Sequence, residues 1–181
     1  MNKGSRLVHF GLAVLVMLLT VGVTYADQGL YVDAAFGRAN VDNEIAGIFL
    51  EDDSEALRFG LGYDLGNNIS VEAGYVFLGE VEADVLGVAN EGETDGGTLA
   101  ARFELPLTDT LNASARIGGF FWEAELATPD GTFVNEGEDL FYGFGVDFKA
   151  TDRLSLSGQW DRFEFGDSEA DVIWAGLRYR F

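Results

Sequence analysis

The chain has 181 residues with 31 acidic and 11 basic side chains, a net charge of −20, 24 glycines, one histidine and no cysteine. That length suits a single domain, the missing cysteine excludes disulfides and thiolate metal sites, and no basic patch is available to neutralise nucleic-acid phosphates. Such acidity favours divalent cations or basic partners.

Lys3 and Arg6 precede an apolar run from Leu7 to about Val23, and Thr24-Tyr25-Ala26 offers small residues at cleavage spacing. The run falls short of the roughly 20 residues a spanning helix needs. Residues 1–26 are therefore expected to be a signal peptide, and 27–181 a single barrel domain. His9 lies inside the signal, and without it the chain keeps nine cations against 31 acids, near −22.

Eight segments then alternate in the same sense. The first sets Leu30, Val32, Ala34 and Phe36 against Tyr31, Asp33, Ala35 and Gly37. The second sets Leu57, Phe59, Leu61, Tyr63 and Leu65 against Arg58, Gly60, Gly62 and Asp64. The third sets Ile69, Val71, Ala73, Tyr75 and Phe77 against Ser70, Glu72, Gly74 and Val76. In the fourth, Leu99, Ala101, Phe103 and Leu105 oppose Ala100, Arg102 and Glu104. The fifth opposes Leu111, Ala113, Ala115, Ile117 and Phe121 to Asn112, Ser114, Arg116 and Gly118. The sixth opposes Tyr142, Phe144, Val146 and Phe148 to Gly143, Gly145, Asp147 and Lys149. The seventh opposes Leu154, Leu156, Gly158 and Trp160 to Ser155, Ser157, Gln159 and Asp161. The last puts Ile173, Ala175, Leu177, Tyr179 and Phe181 opposite Trp174, Gly176, Arg178 and Arg180.

Side chains alternate across a strand, so each segment has one apolar face and one bearing charge and glycine. Each runs about 9–11 residues, the length of a tilted strand crossing a bilayer. Tight turns at Gly66-Asn67-Asn68, 107–110 and 150–153 alternate with long connections at roughly 38–55, 79–97, 123–139 and 164–170. The expected fold is all-β: an eight-stranded antiparallel up-and-down transmembrane β-barrel, apolar outside and polar inside.

A soluble lipocalin-type barrel with the apolar face inward is the competing architecture. The glycines oppose it. Gly60, Gly62, Gly74, Gly118, Gly143, Gly145 and Gly176 all share the charged face, where small residues relieve crowding in a narrow lumen.

The polar parity assigns Arg58, Arg102, Arg116, Lys149, Arg178 and Arg180 to the interior with Asp33, Asp64, Glu72, Glu104, Asp147 and Asp161. Equal numbers of each sign suit a mutually neutralised core, since unpaired buried charge costs several kcal/mol. The network either fixes strand register or, if its pairs exchange, opens an ion path. Aromatics on the apolar face form two girdles. Tyr63, Phe148, Tyr179 and Phe181 lie toward the short-turn end, and Tyr75, Phe77, Phe121, Tyr142 and Trp160 toward the other.

The long connections hold most of the acid, from Asp42 and Glu44 through Glu80, Glu82, Glu123 and Glu136 to Glu169 and Asp171. A solvated repulsive surface is one reading; weak divalent-cation binding, bridging to lipopolysaccharide, is the other. Catalysis is not expected, and no cofactor is implied. With His9 in the signal, no histidine base remains, and the interior carboxylates face cations instead of one another.

Val71-Glu72-Ala73-Gly74-Tyr75-Val76-Phe77-Leu78-Gly79, and Leu105-Pro106-Leu107-Thr108-Asp109 leading into Ala115-Arg116-Ile117-Gly118-Gly119-Phe120-Phe121-Trp122, resemble the transmembrane domain of the OmpA family. The closing Gly176-Leu177-Arg178-Tyr179-Arg180-Phe181 is similar to the C-terminal signal read by the outer-membrane assembly machinery, with Gly176, Tyr179 and Phe181 as its marks. The resemblance implies a Gram-negative outer-membrane location and contact with lipid and lipopolysaccharide. It also implies inward salt-bridge positions at Glu72, Arg102 and Arg116. Ser157 stands where that family's pattern suggests a carboxylate, which leaves the partner of Arg178 open. With the chain stopping at Phe181, cell-wall anchoring is not implied. The expected role is structural or surface-interacting, with a narrow porin-like channel as the alternative and an adhesin or phage target as a third.

Overall fold

A computed structural model describes the backbone of residues 29–45, 48–85, 88–128, 131–166 and 168–181, and the side chains of 29–40, 54–79, 93–125, 134–166 and 168–181. The signal-peptide expectation for 1–26 lies outside these residues.

Eight antiparallel strands close into one barrel: β1 Leu30–Ile45, β2 Ile48–Gly66, β3 Ile69–Val85, β4 Val88–Pro106, β5 Leu111–Thr128, β6 Gly131–Lys149, β7 Leu154–Phe165 and β8 Ser168–Arg180. Each strand pairs with its sequence neighbours, and β8 returns to β1 from Tyr31↔Arg180 to Asp42↔Glu169. Closure leaves the wall of the barrel without an unpaired edge.

The alternation read from sequence sets which face turns outward. Ile173 is 69% exposed while Trp174 beside it is 2%. Phe36, Leu57, Leu99, Phe103, Ile117, Phe144 and Leu177 are likewise exposed on the outer wall, whereas Arg58, Glu72, Arg102, Arg116, Asp161 and Arg178 are buried. A lipocalin-type core would require the reverse.

At one end the turns are short and self-satisfied. Gly66, Asn67 and Asn68 take positive φ of 80°, 55° and 66°, a conformation glycine and asparagine adopt at least cost. In the next turn the Leu111 amide donates to Thr108 Oγ1 at 3.0 Å. Thr151 Oγ1 accepts from the Leu154 amide at the same distance.

At the other end the expected long loops are replaced by paired strand. The ladders continue to Ile45↔Ile48, Val85↔Val88, Thr128↔Gly131 and Phe165↔Ser168. The strands therefore run from 12 to 19 residues, longer than the expected 9–11. Beyond the bilayer both faces of a hairpin are solvated, so the polar–apolar contrast that marks a strand vanishes while its backbone pairing persists. A 19-residue strand is about 60 Å long, and at about 40° tilt it rises about 20 Å past an apolar band about 25 Å tall.

These extensions do not form one continuous wall. The β2–β3 ladder stops at Leu57↔Phe77, and the β6–β7 ladder at Phe141↔Phe163. In contrast, β3, β4, β5 and β6 stay paired up to their hairpins. Where β2 and β3 part, β3 carries a bulge between Phe77 and Glu80, with Gly79 at φ 87°. A Cβ on Gly79 would press on the Glu55 carbonyl and Ser54. Ser54 Oγ donates to the Leu78 carbonyl at 2.5 Å and closes the ladder there.

Candidate functional site

The lumen is filled at two levels. Nearer the short turns lies a continuous charge network to which all eight strands contribute. Arg58 of β2 donates to Asp33 and Asp161 at 3.2 Å each and to Gln159 Oε1 at 2.6 Å. Asp161 of β7 is fully buried and also receives Arg116 of β5 through two nitrogens. Glu72 of β3 is the hub. It lies 3.6 Å from Arg178, 3.8 Å from Arg116 and 3.9 Å from Arg102, and accepts the Tyr31 hydroxyl proton at 2.8 Å. Arg102 continues to Asp147 at 2.5 Å and to Glu104 at 3.1 Å.

Arg178 completes the set by reaching Glu104 at 2.6 Å. Ser157 therefore leaves no gap: the barrel's curvature brings a carboxylate from β4 across the lumen. Glycine makes room for these groups. A Cβ at Gly60 would strike the Asp33 carboxylate, and one at Gly143 the Asp161 carboxylate.

Nine of the twelve expected interior residues thus meet, four arginines with five carboxylates. Arg180 and Asp64 form a separate pair at 3.5 Å in the half-open mouth. Lys149 is a correction. Its side chain is 46% exposed and reaches only Asp152, at 3.6 Å. As the last residue of β6, its flexible stem lets the ammonium stay hydrated at the lumen mouth instead of joining the network. Lys149, Arg153 and Arg180 line a cavity of about 320 Å³ at this mouth, with Glu104, Asp147 and Arg178 along its wall.

The second level adds an apolar layer to the polar, side-chain-filled interior expected from the sequence. Above the charges sits an apolar septum of Phe120, Phe141, Phe163, Val76, Val172 and Trp174, capped by Trp122, Phe165 and Leu78. Phe163 lies between Phe141, stacked at 5.1 Å, and Phe120, edge-on at 5.0 Å. Cation–π contacts join the layers: Arg58 over Trp174 at 5.2 Å and Arg116 over Phe141 at 5.1 Å. The signal was available, because Phe141 and Phe163 continue the inward parity just beyond the residues assigned to their spans and Phe120 keeps it within its own. Tyr31 and Gln159 were placed inward without a partner, and only the structure gives them one.

Outside, the four-stranded extension bears carboxylates opposite one another across strands: Asp95↔Glu123, Glu93↔Glu125 and Glu123↔Glu136. The Tyr75 hydroxyl donates to Asp95 at the base. Arg162 bridges Asp171 at 2.6 Å and Glu169 at 3.4 Å. Among the described residues no three acidic side chains converge as ligands to a metal would. The side chains of Asp42, Glu44, Glu80 and Glu82 fall outside the description.

A family model for the OmpA-like transmembrane domain matches residues 25–181. The chain belongs to that family. Outer membrane protein A of Shigella flexneri is 26% identical over 134 residues, covering 66% of this chain and 38% of that protein. Outer membrane protein A of Klebsiella aerogenes is 26% identical over 159 residues, covering 82% and 44%. The chain thus spans less than half the length of these relatives. Among solved structures, Neisserial surface protein A aligns with a TM-score of 0.68 at 14% identity, over 84% of this chain and 97% of that one. The Yersinia pestis attachment invasion locus protein Ail, in complex with the heparin analogue sucrose octasulfate, gives 0.63 at 14%, over 86% and 100%. The N-terminal barrel of Pseudomonas aeruginosa OprF gives 0.58 at 14%, over 85% and 98%. At such identities the structures speak to the fold. Family and fold together place the chain in the outer membrane of a Gram-negative bacterium, so the short turns face the periplasm and the long hairpins face outward.

Proposed function

We propose that this barrel is a non-enzymatic structural and surface-interaction protein: a rigid stave that holds an acidic, strand-built platform above the membrane. The observation carrying this reading is the lumen, closed by a salt-bridge network and again by the Phe120–Phe163–Phe141 septum, while three hairpins project outward. A wall so filled has little to transport, and its distinctive chemistry lies outside. Lipid, lipopolysaccharide and the assembly machinery are its proposed envelope partners, the last through Gly176, Tyr179 and Phe181.

The Ail structure holds a polyanion. Here the outward carboxylates Asp95, Glu123, Glu136 and Glu138 favour a ligand of opposite sign. A narrow channel is the second reading, supported by the periplasmic cavity of about 320 Å³ that opens toward the network. Planar-bilayer recording separates the two. The structural reading expects no reproducible conductance steps, and steps that vanish on changing Glu72 or Arg102 would replace it with the channel.

A further inference from the structure

The projecting sheet has an unfinished side. Among the described residues, the β5–β6 ladder runs to Thr128↔Gly131, but the β6–β7 ladder begins only at Phe141↔Phe163. From Gly131 to Leu140, then, β6 is paired to β5 alone. The β7–β8 hairpin does not rise to cover it. Its tip is tethered low, where the Gly166 amide donates to Asp139 Oδ2 at 2.9 Å, an oxygen that also accepts from Trp122 Nε1 at 2.8 Å. Asp139 thus ends the barrel wall, and the strand above it presents free backbone donors and acceptors, a template for an added strand.

Charge decides what can use it. On the outward face of β6, Glu136 and Glu138 stand exposed beside a groove of about 590 Å³ shared with Asp95 and Glu123 and floored by Tyr75 and Phe121. Two copies joined edge to edge would set carboxylate against carboxylate, which opposes pairing. A strand carrying lysine or arginine at alternate positions would instead face Glu136 and Glu138. Its charged heads would stand beside these two carboxylates, with the alkyl stems lying over β6.

We propose that the free edge of β6, from Gly131 to Glu138, binds an extended basic segment of a partner protein by strand addition. This rests on the reading of the chain as an outward-presenting surface protein.

The protein in phosphatidylcholine nanodiscs would be titrated with a short fluorescent peptide alternating lysine and valine. Comparison peptides replace lysine by glutamate or interrupt the lysine form with proline. Fluorescence anisotropy reports affinity, and hydrogen exchange reports which amides gain protection. The lysine peptide is expected to bind and slow exchange in residues 131–138, while the glutamate peptide does not bind and the proline peptide gives no protection. The double change Glu136→Lys and Glu138→Lys lowers affinity about tenfold. Binding without slowed exchange in β6, or equal binding of the proline form, overturns the edge while leaving outward presentation intact. Slowed exchange there without peptide, at rising protein concentration, would assign the edge to a second copy and overturn the basic partner. Failure of outward presentation reads separately, as hairpins in intact cells that resist externally added protease.

Discussion

Replacing Glu72 by glutamine tests whether local geometry or net charge governs the lumen. The network holds four arginines and five carboxylates, so by count alone the substitution balances it and should be harmless. The structure says otherwise. Glu72 faces Arg178, Arg116 and Arg102 at 3.6, 3.8 and 3.9 Å. Each gross attraction at these distances is about 4 kcal/mol for an effective dielectric of about 20. Desolvation offsets much of this, and breaking a buried ionic group by removing one partner has a net cost of about 3–5 kcal/mol. Glutamine keeps the shape and one acceptor for the Tyr31 hydroxyl, so the loss is electrostatic. Urea unfolding in lipid vesicles, followed by tryptophan fluorescence, measures it. Asp64→Asn is the internal control. Its pair with Arg180 is part-exposed at 29% and 40% and should contribute less than about 1 kcal/mol. A Glu72→Gln protein within 1 kcal/mol of the parent, or no worse than Asp64→Asn, would refute the reasoning.

Three further outcomes follow from the packing. Phe163→Ala removes the ring between Phe141 and Phe120 and should cost about 3–5 kcal/mol in the same unfolding assay. Gly143→Ala drives a methyl into the Asp161 carboxylate and should destabilise by about 1–3 kcal/mol. Gly158→Ala, whose nearest neighbour is Val146 Cγ2 at 4.0 Å, should be tolerated. Asp139→Ala strips one acceptor from both Trp122 Nε1 and the Gly166 amide. Hydrogen exchange at Gly166 should accelerate by about an order of magnitude or more, corresponding to about 1–3 kcal/mol for the lost bonds.

Some structural features follow directly from residue order. Ile173 faces lipid and Trp174 the lumen because adjacent residues in a strand point to opposite sides, whatever the rest of the chain does. Leu107 to Thr110 and Ala150 to Arg153 turn because threonine can satisfy the backbone locally, as Thr108 and Thr151 do. The upper halves of the strands were illegible: once both faces meet water, alternation loses the contrast that reveals a strand. Lys149 shares the inward parity yet stays out of the network, because parity says which way a residue points, not which partner it reaches.

The sequence alone therefore determined the strand count, the inward and outward faces, the short turns and the membrane, since each depends on neighbours within a few positions. Tertiary structure alone decided which charges meet. Arg58 and Asp161 lie 103 positions apart and touch only because closure and stagger bring β2 and β7 to one height across a narrow lumen. The same closure stacks the aromatic septum above the charges and leaves β6 to climb past β7 with one side open.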